Sequence, residues 1–184
     1  MSQETDRLIV ITGGPGSGKT SLIEALAAAG HAVAPEAGRA IIRDQQAVDG
    51  RGLPWVDPGL FAELMLAADL RNHAEALAGG RNVVFDRGLP DIAGYLLLCG
   101  LPIPGHVERA AQLRRYRRAV YIAPPWQDIF TRDAERKQYF AEAQRTYAAM
   151  AETYPRYGYE LVELPRASVA ELVAFVLGHG VAAD

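Results

Sequence analysis

The sequence predicts an α/β fold in three layers, a mainly parallel five-stranded sheet with helices on both faces. Three observations predict it. Short apolar runs rich in β-branched residues recur along the 184 residues. Stretches with apolar residues at helical spacing separate them. Glycine and proline mark most of the junctions. Strands that alternate with helices run parallel, because each right-handed crossover brings the chain back to the same edge of the sheet.

Arg7-Leu8-Ile9-Val10-Ile11-Thr12 reads as a strand buried on both faces and runs into a glycine-rich loop. From Lys19 the residues Leu22, Ile23, Leu26 and Ala27 recur at helical spacing, and Gly30 stands where a C-cap glycine belongs. His31-Ala32-Val33-Ala34 is the second strand, followed by Pro35-Glu36 and a helix up to Asp49-Gly50. Beyond the turn Gly50-Arg51-Gly52-Leu53-Pro54-Trp55, Asp57-Pro58 forms an N-cap with proline at the first helical position. The helix it opens carries the stripe Leu60, Leu64, Ala67, Leu70, Ala74 and Leu77, expected to pack on the sheet, and ends at Gly79-Gly80. Val83-Val84-Phe85 is the third strand and ends in Asp86. Helices are expected from Pro90 to Gly100 and from Val107 to Arg115. Ala119-Val120-Tyr121-Ile122-Ala123, stopped by Pro124-Pro125, is the fourth strand. Phe140, Ala143, Tyr147, Met150 and Tyr154 mark a further long helix. Glu160-Leu161-Val162-Glu163-Leu164 is the last strand, and Ser168-Val169-Ala170-Glu171 is a capping box that opens the last helix.

Nineteen Lys and Arg against 22 Asp and Glu leave a formal charge of −3, and 49% of residues are hydrophobic. That balance suggests neither a polyanion-binding surface nor general disorder, so nucleic acid is not the expected partner. The length suits one domain over residues 1–184. Cys99, the only cysteine, lies in the apolar run Tyr95-Leu96-Leu97-Leu98-Cys99, which predicts a buried, inert thiol and neither a disulfide framework nor a thiolate metal site. No apolar stretch approaches the roughly 18 residues that cross a bilayer, and Met1 to Asp6 lacks a basic leader region. A soluble cytoplasmic protein with no membrane partner is expected. His31, His73, His106 and His179 have no metal-ligand spacing.

Gly13-Gly14-Pro15-Gly16-Ser17-Gly18-Lys19-Thr20 matches the Walker A pattern in full, between a buried strand and a helix. Its glycines let successive amides face phosphate oxygens, and the positive end of the following helix adds to the field. Lys19 is expected to reach the β- and γ-phosphates of ATP, with Ser21 beside the cradle and Thr20 offering a hydroxyl to Mg²⁺. Asp86, at a strand end, is placed to hold that ion through water or to act on an acceptor hydroxyl. Arg87 beside it reads either as an acceptor-binding group or as a structural ion pair. Glu36 and Arg39, three residues apart after the second strand, read either as acceptor-binding groups or as a solvated pair. Arg132, Arg136 and Lys137 concentrate positive charge in a segment, near residues 126–145, expected to be a mobile lid. Arg132 and Arg136 would there neutralise charge during phosphoryl transfer, although the interleaved Asp133 and Glu135 also fit a plain charged helix. The cluster Arg114-Arg115-Tyr116-Arg117-Arg118 reads as a solvated face.

With these residues assembled, the chain resembles the P-loop kinases of nucleosides and nucleotides, in particular an AAA-type ATPase-like family that includes the ribosylnicotinamide kinase domain. Gly13 to Thr20, Pro35-Glu36-Ala37-Gly38-Arg39, Phe85-Asp86-Arg87-Gly88 and Gly158 to Pro165 carry the likeness over almost the whole chain, and of these only the Walker A stretch is specific by itself. The resemblance implies a sheet in the order 2-3-1-4-5, an acid after strand two for acceptor recognition or base duty, an Asp-Arg pair after strand three, and an arginine lid. Asp86-Arg87 is similar to the Asp-Arg pair of thymidylate kinases, and Gly88, the next residue, departs from the pattern of those enzymes. Leu164-Pro165-Arg166-Ala167-Ser168 falls where such folds flank adenine. A small-molecule kinase is the leading expectation, with nucleoside triphosphate and a nucleoside, nucleotide or similar acceptor as its partners. The alternative is a regulatory NTP-binding switch or slow ATPase acting on a protein partner. Asn-Lys-x-Asp, a mark of a GTPase, is missing, Asp86-Arg87-Gly88-Leu89 does not follow Asp-x-x-Gly, and the Leu-Ser-Gly-Gly signature of ABC ATPases is missing too.

Overall fold

β1 (Leu8–Gly13) is buried at all six positions because it lies at the centre of the sheet. The structure is a computed structural model that describes residues 5–126 and 134–178, the side chains of residues 134–139 excepted. β3 (Val83–Asp86) pairs with one edge of β1 and β4 (Ala119–Ala123) with the other, both parallel. β2 (Ala32–Ala34) lies outside β3, and β5 (Glu160–Glu163) outside β4, so the order is β2-β3-β1-β4-β5 as the resemblance implied. The register sets Ile11 beside Asp86 and Gly13 beside Ala123. All the strands therefore end at one edge, and the loops after them converge there.

Alternation along β1 divides the core in two. Ile9 and Ile11 face Leu22 and Leu26 of α1 (Lys19–Ala28) and Leu172 and Val176 of α7 (Val169–Gly178). Leu8 and Val10 face the other layer, built from α3 (Pro58–Gly79), α4 (Leu89–Leu98), α5 (Gly105–Leu113) and α6 (Ala134–Arg156). α2 (Ala37–Ala47) packs on α3 and buries only Gly38. Each fully buried Leu or Ile here stabilises the fold by about 1.5–3 kcal/mol relative to exposure.

Local signals set the ends of several helices. Asp57 caps α3 by accepting from the Leu60 amide at 3.0 Å, and Gly80 closes it in the left-handed region. Ser168 and Glu171 exchange capping bonds at the start of α7. Three expectations are corrected. The buried face of α3 is Phe61, Ala62, Leu66, His73 and Ala76, whereas Leu60, Ala67 and Ala74 of the expected stripe lie outside it. A histidine takes an inward position because its Nε2 bonds the Arg115 carbonyl at 2.9 Å, a partner that hydrophobic periodicity does not register. Cys99 is exposed, because α4 ends at Leu98 and its last turn leaves the core. The Arg114 to Arg118 cluster is not wholly solvated. Arg115 donates to the Tyr157 carbonyl at 2.9 Å and lies 4.1 Å over the Tyr159 ring, where its guanidinium pins the turn before β5 to the end of α5.

Candidate active site

The phosphate loop is shaped by what surrounds its glycines. Gly13 has φ +134°, and a Cβ there would lie 2.6 Å from the Ala123 carbonyl oxygen of β4. A Cβ on Gly14 would lie 2.5 Å from the Ala143 carbonyl oxygen, so α6 rests directly on the loop. No side chain caps α1, which leaves its first amides free to meet an anion. Lys19 is buried and folds back, its Nζ donating to the carbonyls of Gly13 (3.0 Å) and Gly14 (2.6 Å) and to Ser17 Oγ (3.2 Å). Burial, and then Arg87, bring its pKa down to about 7 against the opposing pull of Asp86, Glu36 and Asp91.

Asp86 stands beside the loop at the end of β3. Its Oδ1 is buried and has no hydrogen-bond partner. Burial, and next the Glu36 carboxylate, raise its pKa, while Lys19, Arg87 and Arg39 pull it down. An orphaned buried carboxylate oxygen is costly in an empty site and well matched to a cation. Thr20, exposed on the first turn of α1, carries the hydroxyl that would complete such a site. Among the described residues there is no group of three or more His, Cys, Asp or Glu side chains that would cage a metal. This donor set fits Mg²⁺, which takes few protein ligands and keeps water and phosphate oxygens.

Glu36, Arg39, Arg87 and Asp91 form one network. Glu36 Oε1 accepts from Arg87 Nε at 3.2 Å, and Glu36 Oε2 pairs with Arg39 Nε at 2.9 Å. Arg39 also donates to Thr20 Oγ1 at 3.3 Å, which links this network to the glycine loop. Arg87 is held in the left-handed region, φ 75°, a conformation that costs a non-glycine residue roughly 1 kcal/mol. The strain aims its guanidinium between Glu36 and Asp91, whose Oδ1 it meets at 3.3 Å. Asp91 in turn accepts from Thr12 Oγ1 (2.5 Å), the Tyr154 hydroxyl (2.5 Å) and the Gly88 amide (2.8 Å). The structure thus brings Lys19, Thr20, Glu36, Arg39, Asp86 and Arg87 together; Glu36, Arg39 and Arg87 are ion-paired, as one of the two readings expected, and they also line a cavity.

That cavity, about 530 Å³, starts at Pro15 of the loop and runs between four helices, with α2 lending Gly38, Arg39 and Ile42. α3 lends Phe61, Met65 and Asp69; α4 lends Asp91 and Tyr95, with Cys99 just past its end; α6 lends Glu142, Thr146 and Met150. Each of these last three sets steps by four residues, the spacing of one helical face. On another side of the loop, Leu22, Pro124, Trp126, Leu164 and Pro165 border a narrow cleft next to Lys19. Ser21 is exposed on α1. Arg132 lies outside the described residues, as do the side chains of Arg136 and Lys137, although positions 136 and 137 fall within α6. Sequence reasoning missed Asp69, Asp91 and Arg145. For Asp91 a signal existed, its position four residues after Arg87 at the start of a helix.

A parallel sheet in the order β2-β3-β1-β4-β5, with a Walker A loop between β1 and α1, defines a P-loop protein with the fold of nucleoside and nucleotide kinases. The chain belongs to an AAA domain family, whose model matches residues 8–171. No curated protein matches it significantly. Among solved structures it is similar to thymidylate kinase from Ehrlichia chaffeensis, at 14% identity and TM-score 0.59, over 94% of this chain and 96% of that one. Deoxyadenosine kinase from M. mycoides, with dCMP and a flexible dCDP bound as products, aligns at 13% identity and TM-score 0.63, over 94% and 97%. Shikimate kinase from Acinetobacter baumannii, in complex with shikimate, aligns at 13% and 0.52, over 96% and 93%. At these identities the likeness is one of fold.

Proposed function

We propose that the protein is an ATP-dependent kinase that transfers the γ-phosphate to a small acceptor, a nucleoside, nucleotide or similar molecule. The observation that carries this reading is the cavity of about 530 Å³ that opens at the phosphate loop and is walled by Glu36, Arg39 and Arg87. A chamber of that size at that edge suits a small-molecule ligand. The three kinases that share the fold support phosphoryl transfer as the class of reaction.

In this reading the triphosphate displaces Lys19 from the Gly13 and Gly14 carbonyls, and the ammonium moves to the β- and γ-phosphates. The cleft by Trp126 and Pro165 borders the nucleoside end. Thr20 and Asp86 would hold Mg²⁺, which would supply positive charge against the charge of the transferring phosphoryl group. Glu36, fixed by two guanidiniums, receives the acceptor hydroxyl and orients its oxygen toward the γ-phosphate. Arg87, locked between Glu36 and Asp91, keeps that carboxylate in place. The Phe61, Met65, Ile92 and Met150 side chains exclude water from the transfer path. An ADP-release assay against a panel of nucleosides, nucleotides and small hydroxy acids tests the reading. At least one acceptor is expected to stimulate ADP formation well above the acceptor-free rate, and Lys19→Ala to abolish the stimulation. Tight ATP binding with no stimulation by any acceptor, and partner affinity that depends on nucleotide, would favour the switch.

A further inference from the structure

Asp69 is a carboxyl in the acceptor cavity that the phosphate-transfer machinery does not use. It shares the cavity-lining face of α3 with Phe61 and Met65. Among the described residues no cation pairs with it, and its hydrogen bond is to Asn72 on the same helix. The charged and titratable groups around it come from every neighbouring element: Glu36 before α2, Arg87 after β3, Asp91 on α4 and Tyr116 before β4. Burial first, and Asp91 next, push its pKa up to about 7. A carboxyl kept in a half-buried wall without a counter-ion is costly, which a purely structural role leaves without a reason.

The rest of the inner chamber argues against a phosphorylated acceptor. Its part-buried guanidinium, Arg87, is already engaged by Glu36 and Asp91, and the exposed Arg39 at the rim is paired with Glu36. A phosphomonoester, close to two negative charges at neutral pH, would compete with Glu36 and Asp91 for those guanidiniums and bring its charge up against the carboxyl groups of Glu36, Asp69 and Asp91, which line the same cavity. The remaining cavity arginine, Arg145, is exposed and has Glu142 as a neighbour on its helix. A hydroxyl compound with its own N–H or O–H donors meets no such obstacle. It offers hydrogen to the carboxyl groups and leaves the ion pairs intact.

We propose that Asp69 is the acceptor-reading residue of this cavity, and that the acceptor is an alcohol, neutral or cationic, which presents a hydrogen-bond donor to Asp69 and carries no phosphate. This rests on the kinase reading and removes nucleotides from its acceptor list. The test uses matched pairs, each a nucleoside and its 5′-monophosphate or a sugar and its phosphate, offered to the full-length protein with ATP. Binding is measured by calorimetry in the presence of ADP, and turnover by ADP release. At least one alcohol is expected to bind tenfold or more tightly than its phosphate and to be the member that is phosphorylated. Asp69→Asn, of the same size, and Asp69→Ser, checked for folding by thermal melting, are expected to raise the KM for that alcohol about tenfold, with a much smaller change in kcat and with ATP affinity retained. Phosphorylation confined to the phosphate members overturns the proposal while the kinase reading stands. An unchanged KM in both folded variants overturns the role of Asp69. Binding of ATP with no member of any pair bound or phosphorylated overturns the kinase reading, and this proposal with it.

Discussion

Lys19 serves two states of the phosphate loop. Without phosphate its ammonium caps the loop's own carbonyls, and burial brings its pKa down to about 7. At pH 8 much of the free protein therefore carries a neutral Lys19, and phosphates drawn up to it restore the charge. Binding of ATP at pH 8 is expected to take up protons. Calorimetry in two buffers of different ionisation enthalpy checks this, and identical binding enthalpies in both would contradict it. Asp69 gives a second linkage of opposite chemistry. Its pKa is raised from 3.8 to about 7, so between those values the folded protein binds more protons than the unfolded chain, and stability falls as pH rises through the window. Asp69→Asn removes that dependence, so the variant is expected to gain stability relative to the parent on going from pH 5 to pH 8, as read by urea midpoints. Gly13 to Thr20 were legible in the sequence because a phosphate cradle is a local device, built from contiguous residues. Of Asp91 only the spacing to Arg87 was legible, because its other side-chain partners, Thr12 and Tyr154, lie 79 and 63 residues away in sequence.

Between the elements, the contacts that matter join α4 to β1 and α6. Thr12 on β1 and Tyr154 on α6 both donate to Asp91 and so fix the start of α4 and, through Arg87, the placement of Glu36. Tyr154→Phe or Thr12→Val leaves a buried carboxylate oxygen short of a donor, and each is expected to cost about 1–3 kcal/mol in urea unfolding. The same variants are expected to lower acceptor turnover more than ATP binding, since the loop is untouched. Gly14→Ala makes the complementary case. Its Cβ would strike the Ala143 backbone, so the loop or α6 must shift, and ATP affinity is expected to drop at least tenfold with little change in far-ultraviolet circular dichroism. Strands and caps were readable from the sequence, since burial on both faces leaves continuous apolar runs and Asp57 and Ser168 are short-range caps. The inward face of α3 was not readable. It carries His73 and the cavity-facing Asp69, whose partners are Arg115 on a distant turn and Asn72 on the same helix. The surface position of Cys99 escaped for a related reason, since an apolar run does not say where its helix leaves the core.

At the scale of the molecule, the sheet order places the ends of β1, β2 and β3 side by side, so the cradle, Glu36 and the Asp86-Arg87 pair meet without any long-range motif to announce it. No helix among the described residues is long and apolar enough to cross a membrane. Two chambers flank the loop, a narrow one by Trp126 and a wide one by Phe61 and Tyr95, and the γ-phosphate would lie between them. This arrangement suits handing a phosphate from one small molecule to another. The most direct measurement tracks the γ-phosphorus of labelled ATP during turnover with the best acceptor alcohol of the panel. The account predicts that the label appears in an organic phosphate ester in one-to-one stoichiometry with ADP, and that Glu36→Gln lowers this transfer at least a hundredfold. Label recovered solely as inorganic phosphate, at a rate indifferent to every acceptor and to Glu36→Gln, would contradict it.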